Sequence, residues 1–171
     1  ERFPTLQDLA KASKAEVIES WSGLGYNRRA LLFHRFAQQV CEKYGGEIPQ
    51  NKEELQELPG MGPYTTGAIL SFAFNLPEPA IDVNVRRIYL RFFQGRDQGL
   101  PMSRKEEQEL YEFAKQTIPQ NKSTDFHNAL MDFGSSICTR NTPSCNTCPL
   151  QNNCAFFPLY KNHKEKALFV M

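Results

Sequence analysis

The chain has 171 residues, of which 40% are hydrophobic and 23% charged, and these proportions exclude a disordered or fibrous protein. No apolar run approaches the roughly 20 residues that a membrane-spanning helix needs, and the first residues form no apolar signal segment, so we expect an intracellular globular protein without membrane contact. Twenty basic and nineteen acidic residues give a net charge of +1, and charge alone therefore does not indicate a nucleic-acid partner.

Helix start and stop signals recur along the first part of the chain, whereas strand signals are scarce. A capping box at Ser13 opens a short helix that Gly23 ends, and a longer helix follows from Tyr26 to Lys43. Asn51 then starts a further short helix. These signals predict an all-α fold.

The middle of the chain predicts a hairpin between two helices and a third helix behind an aspartate. The glycine-containing segment 58–62 ends the short helix, and Pro63 suits the first position of the next one. The proline-containing segment 77–79 ends that small-residue, apolar helix. Asp82 then precedes a helix predicted over residues 85–93.

Two more helices are predicted in the last part of the chain. One follows a capping box at Ser103, and the other covers residues 124–137. The segment 95–101, which separates the helix behind the aspartate from the capping box, is the predicted boundary between two lobes. We therefore expect a helical lobe of residues 1–98 and a second helical lobe of residues 99–171.

Four of the five cysteines lie within seventeen residues near the end of the chain, at Cys138, Cys145, Cys148 and Cys154. Such clustering indicates a metal centre rather than a disulfide framework. Structural zinc sites more often pair two closely spaced knuckles across a longer gap, so this single loop suits a [4Fe-4S] cluster at least as well as zinc. Spacing alone leaves both metals open. Cys41 matches no ligand pattern and is predicted to be a small buried hydrophobe.

The cysteine loop follows the segment Phe126-His127-Asn128-Ala129-Leu130-Met131-Asp132-Phe133-Gly134 and begins with Ile137-Cys138-Thr139-Arg140. These residues and the cysteine spacing resemble the cluster loop of the endonuclease III superfamily of DNA glycosylases. The resemblance implies a [4Fe-4S] cluster held by the four cysteines. It also implies that the cluster orders the loop and its basic face against DNA phosphates.

The hairpin and the aspartate carry the same resemblance. Gly60 and Gly62 lie just before the start of a helix, where glycines let a phosphate approach the backbone N–H groups. By itself, such a segment is more often an ordinary turn between two helices. Asp82, twenty residues after Gly62, is by itself an N-cap. Together the hairpin and Asp82-Val83-Asn84-Val85 resemble the helix-hairpin-helix glycosylase signature. The resemblance implies that fold and a catalytic role for Asp82, with Asn84 in the same site.

A glycosylase breaks the N-glycosidic bond through a cation-like sugar, and a carboxylate beside the anomeric carbon stabilises that charge or attacks the carbon. The base must first be flipped out of the duplex. The segment Gly23-Leu24-Gly25-Tyr26 is similar to the family's wedge segment, which implies that Tyr26 inserts into the base stack; a core tyrosine is the alternative. Four arginines are candidates for phosphate contacts, namely Arg28, Arg29, Arg86 and Arg87. The alternative for each is a charged side chain that contacts only solvent.

Tyr64, two residues after Gly62, separates the reaction types of the superfamily. A lysine there attacks the sugar as an amine and leads to strand cleavage, which a tyrosine cannot do, so we expect a monofunctional glycosylase that uses water. Tyr64 is expected to line the sugar or base pocket, with plain packing at a helix start as the alternative. The residues around Tyr64 most resemble the MutY-type enzymes, which excise adenine opposite 8-oxoguanine or guanine. Thymine or uracil mismatch glycosylases and a non-catalytic iron-sulfur DNA-binding module are the alternatives. Val83 departs from the glycine frequent in the adenine enzymes.

The resemblance extends from Phe3 to Cys154, whereas the family pattern begins earlier and ends later. We expect the chain to lack an N-terminal helix whose glutamate protonates the leaving adenine, and a C-terminal domain that recognises 8-oxoguanine. The expected partner is double-stranded DNA with a mismatched or damaged base pair, bound by a monomer inside the cell, which in a bacterium means the cytoplasm or nucleoid.

Overall fold

The computed structural model describes residues 2–97 and 101–161, and all regular elements within these ranges are helical. The α-helices are α1 (Leu6–Lys11), α2 (Lys14–Ser20), α3 (Asn27–Tyr44), α4 (Lys52–Gln56), α5 (Pro63–Ala68), α6 (Val83–Gln94), α7 (Arg104–Thr117) and α8 (Ser123–Ser136). The prediction of an all-α fold is confirmed. None of the helices in the described ranges combines the length and the apolar character that crossing a membrane requires.

The chain divides into two units, residues 1–66 and residues 67–171. In the first unit, α1 and α2 pack on α3. Side chains from all three helices form its core, namely Leu9, Val17, Ala30 and Ala37, with Phe3, Leu6, Ala10, Ala12 and Trp21 packed against them. Capping boxes at Thr5 and Ser13 satisfy the free backbone N–H groups at the starts of the two short helices. Packing against α3 therefore stabilises α1 and α2, which are too short to be stable alone.

In the second unit, α8 packs on α6 and on a π-helical segment, Ile69–Ala73, that continues α5. A core of α6 and α7 side chains consists of Val85, Tyr89, Leu110 and Ala114, with Ile81, Met102, Leu130 and Met131 packed against it. The end of the π-helical segment is tied to the start of α8, because Thr124 donates its backbone N–H to Asn75 and its hydroxyl to the Ser71 carbonyl.

The close approach of α5 to the segment before Asp82 depends on Gly67. A Cβ atom at this position would collide with the backbone carbonyl of Pro79. Glycine therefore lets the helix and the segment 79–82 lie in direct backbone contact.

The observed division falls within α5, after Thr66. The predicted boundary between lobes lies between residues 98 and 99, which are outside the described residues, and it stays a prediction. The 3-10 turns Cys145–Thr147 and Gln151–Asn153 lie in the cysteine loop of the second unit.

Candidate active site and cysteine centre

Asp82 is the N-cap of α6, as the sequence predicts. Its Oδ1 accepts hydrogen bonds from the backbone N–H groups of Asn84, at 2.8 Å, and of Val85, at 2.7 Å. Its Oδ2 accepts a third from the side-chain amide of Asn84, at 3.1 Å. The helix dipole favours a negative charge at this position. The carboxylate is thus held in one orientation, and Val83 stands beside it with 67% of its surface exposed.

The segment that leads into Asp82 is held from α8 by His127, a residue to which the sequence assigns no role. His127 is buried, and its Nε2 accepts a hydrogen bond from the backbone N–H of Ala80 at 3.1 Å. Burial lowers the pKa of His127, although its hydrogen bond to Ser123 has the opposite effect. No local pattern identifies this contact, because the two residues that it joins are 47 positions apart.

The prediction that Arg87 contacts a DNA phosphate is corrected by the structure. Arg87 is only 2% exposed, and its guanidinium donates to the carbonyl of Cys138 at 2.8 Å and to that of Gly134 at 2.7 Å. The side chain is therefore used inside the fold. Arg86, by contrast, is partly exposed and forms an ion pair with Glu107 at 3.3 Å.

Arg91, one turn further along α6, is a second buried arginine that sequence reasoning missed. Its guanidinium donates to the carbonyls of Thr139, at 2.6 Å, and Arg140, at 2.8 Å, and lies 3.7 Å from the Cys138 sulfur. It also pairs with Asp97 at 2.9 Å. Arg87 and Arg91 thus hold the start of the cysteine loop against α6 through hydrogen bonds to its backbone carbonyl groups. Asp97 pairs with the charge of Arg91.

The four clustered cysteines line one cavity, whose other walls are formed mainly by apolar side chains. The four cysteines form no disulfide. Burial raises the pKa of the Cys145 thiol, and the neighbouring thiols raise this pKa further. No three Cys, His, Asp or Glu side chains in residues 2–97 and 101–161 lie close enough together to hold a single metal ion. The case for a centre here therefore rests on the donor set: four soft sulfur donors in one loop suit a thiolate-bound cluster.

The predicted hairpin lies in the first unit, between α4 and α5. Gly60 has a φ of +83°, in the left-handed region that favours glycine, and a Cβ atom there would lie 3.3 Å from the Leu32 side chain. A Cβ atom at Gly62 would meet open space. Tyr64, in the first turn of α5, exposes 45% of its surface. The hairpin and Tyr64 are therefore accessible to a ligand.

Tyr26 stands on a constrained loop at the start of α3. It is 83% exposed, and its φ of +50° is unusual for a residue with a side chain. The indole N–H of Trp21 donates to the carbonyl of Gly25 at 2.7 Å, which fixes the loop directly before Tyr26. The neighbouring Arg28 is exposed. The backbone that carries Tyr26 is thus constrained, and its ring is exposed to solvent.

The predicted site residues are divided between the two units. Asp82, Asn84 and the four clustered cysteines belong to residues 67–171. Arg86 and Arg87 belong to the same unit. Residues 1–66 contain the remaining candidates, which are Tyr26, Arg28, Arg29, Gly60, Gly62 and Tyr64. Within the second unit the structure brings Asp82 to Asn84 and gathers the cysteines around one cavity.

The sequence of this chain is similar to those of known DNA repair proteins. Residues 1–116 match the family described as HhH-GPD superfamily base excision DNA repair protein. The adenine DNA glycosylase of Rattus norvegicus is 42% identical over 156 residues, which cover 90% of this chain and 30% of that protein. The corresponding protein of Buchnera aphidicola (strain APS) is 36% identical over 152 residues, covering 89% of this chain and 43% of that one. The chain thus spans less than half the length of these relatives.

Solved structures of similar fold include a thermostable thymine-DNA glycosylase, with a TM-score of 0.83 and 30% identity over 92% of this chain and 71% of that one. A non-covalent endonuclease III–DNA complex matches with a TM-score of 0.76 and 25% identity, covering 94% of this chain and 73% of that one. The predicted helix-hairpin-helix glycosylase fold is therefore confirmed.

Proposed function

Because this chain belongs to the HhH-GPD superfamily of base excision DNA repair proteins, we propose that it is a DNA glycosylase that removes adenine opposite 8-oxoguanine or guanine from double-stranded DNA. The observation that carries the proposal is the Asp82 carboxylate, which three hydrogen bonds orient at the start of α6. The choice of adenine is supported by the relatives described as adenine DNA glycosylases.

In the proposed reaction the bond between the anomeric carbon and N9 of adenine breaks, and its electron pair leaves with the base, which takes up a proton. Asp82 stabilises the positive charge that develops on the sugar. Water then adds to the anomeric carbon and loses a proton, which leaves an abasic site. Asn84 keeps the carboxylate oriented through its side-chain amide, 3.1 Å from Asp82 Oδ2. Tyr64 lines the sugar or base pocket.

Flipping adenine out of the duplex is assigned to the first unit. Tyr26, on its constrained loop, inserts into the base stack and replaces part of the stacking that the flipped base loses. Arg28 contacts a nearby phosphate, and the hairpin with Gly60 and Gly62 binds another through its backbone N–H groups. The exposure of Tyr26 and the open space at Gly62 support this assignment.

Cys138, Cys145, Cys148 and Cys154 are proposed to hold a [4Fe-4S] cluster. Such a cluster supplies metal–sulfur bonds that order the loop. Arg91 and Arg87 hold the first of these ligands and the carbonyl groups beside it through the contacts described above. The excision step itself needs only groups outside this loop.

We further propose that the protein acts as a monomer on mispaired or damaged duplex DNA inside the cell. Two of its structural neighbours are described as complexes of endonuclease III with DNA, which supports a DNA partner. A second candidate function, removal of thymine from mismatches, is favoured by the likeness to a thymine-DNA glycosylase.

The type of chemistry is tested by treating the reaction on an A·8-oxoguanine duplex with borohydride or with alkali. Tyr64 has no amine to form a Schiff base, so we expect an abasic product whose strand breaks only in alkali, and no borohydride-trapped protein–DNA adduct. Strand cleavage without alkali, together with a trapped adduct, would show that another amine of the chain attacks the sugar.

A further inference from the structure

The two hydrogen bonds that His127 makes to backbone groups assign its tautomer. Its Nδ1 lies 2.8 Å from the backbone carbonyl of Ser123, an acceptor, so Nδ1 carries the proton. Its Nε2 lies 3.1 Å from the backbone nitrogen of Ala80, a donor, so Nε2 must be unprotonated. His127 therefore serves as the acceptor for a backbone amide of the segment that leads to Asp82.

The surroundings leave this amide no substitute partner from solvent. Ala80 is fully buried and His127 is 2% exposed. The rings of Phe72 and Phe126 contact the imidazole edge-on, each with its centroid 5.8 Å away, and so restrict its rotation. A buried N–H without an acceptor is strongly disfavoured, so the segment would have to move if Nε2 were lost.

The segment is also held from another side. Pro79 lies in backbone contact with Gly67, where no Cβ atom fits, while Ala80 is bonded to His127. Residues 79–80 are therefore clamped between α5 and α8, and Asp82 begins α6 two residues later. A contact between residues 47 positions apart in the chain thus holds the backbone two residues before Asp82.

We propose that His127 is a positioning residue for Asp82: through its Nε2 it holds the Ala80 amide and thereby sets the place of the carboxylate at the start of α6. The proposal rests on the proposed catalytic function of Asp82. Displacement of a reacting group by about 1 Å is enough to lower a rate about 100-fold, so the contact has a measurable effect on excision.

The test compares His127→Phe, which keeps a ring but no acceptor, with His127→Gln, whose amide oxygen can replace Nε2. The matched control is His34→Phe, which removes another buried histidine from the first unit. Single-turnover excision and the dissociation constant for an A·8-oxoguanine duplex are measured for each protein. We expect His127→Phe to lower the excision rate constant about 10- to 100-fold without changing the dissociation constant, and His127→Gln to stay within about threefold of the unaltered protein.

A second readout does not depend on turnover. In amide NMR spectra, the Asn84 and Val85 signals report their hydrogen bonds to Asp82 and should shift in His127→Phe but not in His34→Phe. The nitrogen shifts of His127 should show a protonated Nδ1 and an unprotonated Nε2. A protonated Nε2, unmoved Asn84 and Val85 signals, or equal loss of excision in His127→Phe and His127→Gln would overturn the proposal. Absence of excision in the unaltered protein would instead contradict the proposed function, and the NMR result would still decide the role of His127.

Discussion

Replacement of Asp82 by asparagine is expected to reduce base excision at least about 1,000-fold while leaving affinity for duplex DNA nearly unchanged. Asparagine is as good an N-cap as aspartate, and its amide oxygen can keep the bonds to the N–H groups of Asn84 and Val85. The variant therefore folds but lacks the negative charge that stabilises the sugar cation. Single-turnover excision and fluorescence anisotropy with a labelled duplex measure the two effects separately.

The matched control is Asp125→Asn, which removes an exposed carboxylate from the first turn of α8. It should leave both excision and affinity unchanged, because Asp125 has no place in the proposed reaction. If Asp82→Asn excised adenine within about tenfold of the unaltered protein, the carboxylate would not be the group that stabilises the transition state.

Replacement of Cys145 by alanine is expected to lower the bound iron and sulfide from about four of each per chain to nearly none. The cavity that Cys145 lines has few polar groups other than the thiols, so a missing donor is not readily replaced. The loop that the metal–sulfur bonds would order then loses its main support, and the melting temperature should fall. Metal and sulfide analysis of anaerobically purified protein, followed by thermal melting, measures both effects.

Cys41→Ala is the control for this substitution. Cys41 lies in α3, in the other unit, and its loss should change the free energy of unfolding by less than about 1 kcal/mol and leave the iron content unchanged. One zinc ion per chain in the unaltered protein, without sulfide, would contradict the proposed cluster. Undiminished iron in Cys145→Ala would contradict the assignment of this ligand.

Helix starts were predictable because the interactions that make them are local. Ser13, Asn51 and Ser103 were each expected to begin a helix, and each accepts a hydrogen bond from a backbone N–H three residues later. The capping box at Thr5 carries the same signal and was overlooked, so α1 was not predicted. The π-helical continuation of α5 could not be predicted, because Thr124, from a distant helix, bonds to its carbonyl at Ser71.

The site shows the same difference between local and distant interactions. The cap at Asp82 was predicted from its neighbours in sequence, and its catalytic role stays a proposal. Arg87 was wrongly assigned to the DNA surface because its carbonyl partners lie 47 and 51 residues away. The buried position of Arg91 could have been inferred from the apolar residues near it, because Leu90 precedes it and Ile88 lies one turn before it on α6. The groups that Arg91 binds could not be predicted from the sequence.

The central claim is tested most directly by single-turnover excision from labelled duplexes that contain A opposite 8-oxoguanine, A opposite G, T opposite G or U opposite G. We expect release of adenine from the first two duplexes, to leave abasic sites, and no release of thymine or uracil. Preferential release of thymine or uracil would contradict the adenine assignment and favour a mismatch glycosylase. Binding of all four duplexes without release of any base would contradict glycosylase activity and leave a DNA-binding protein.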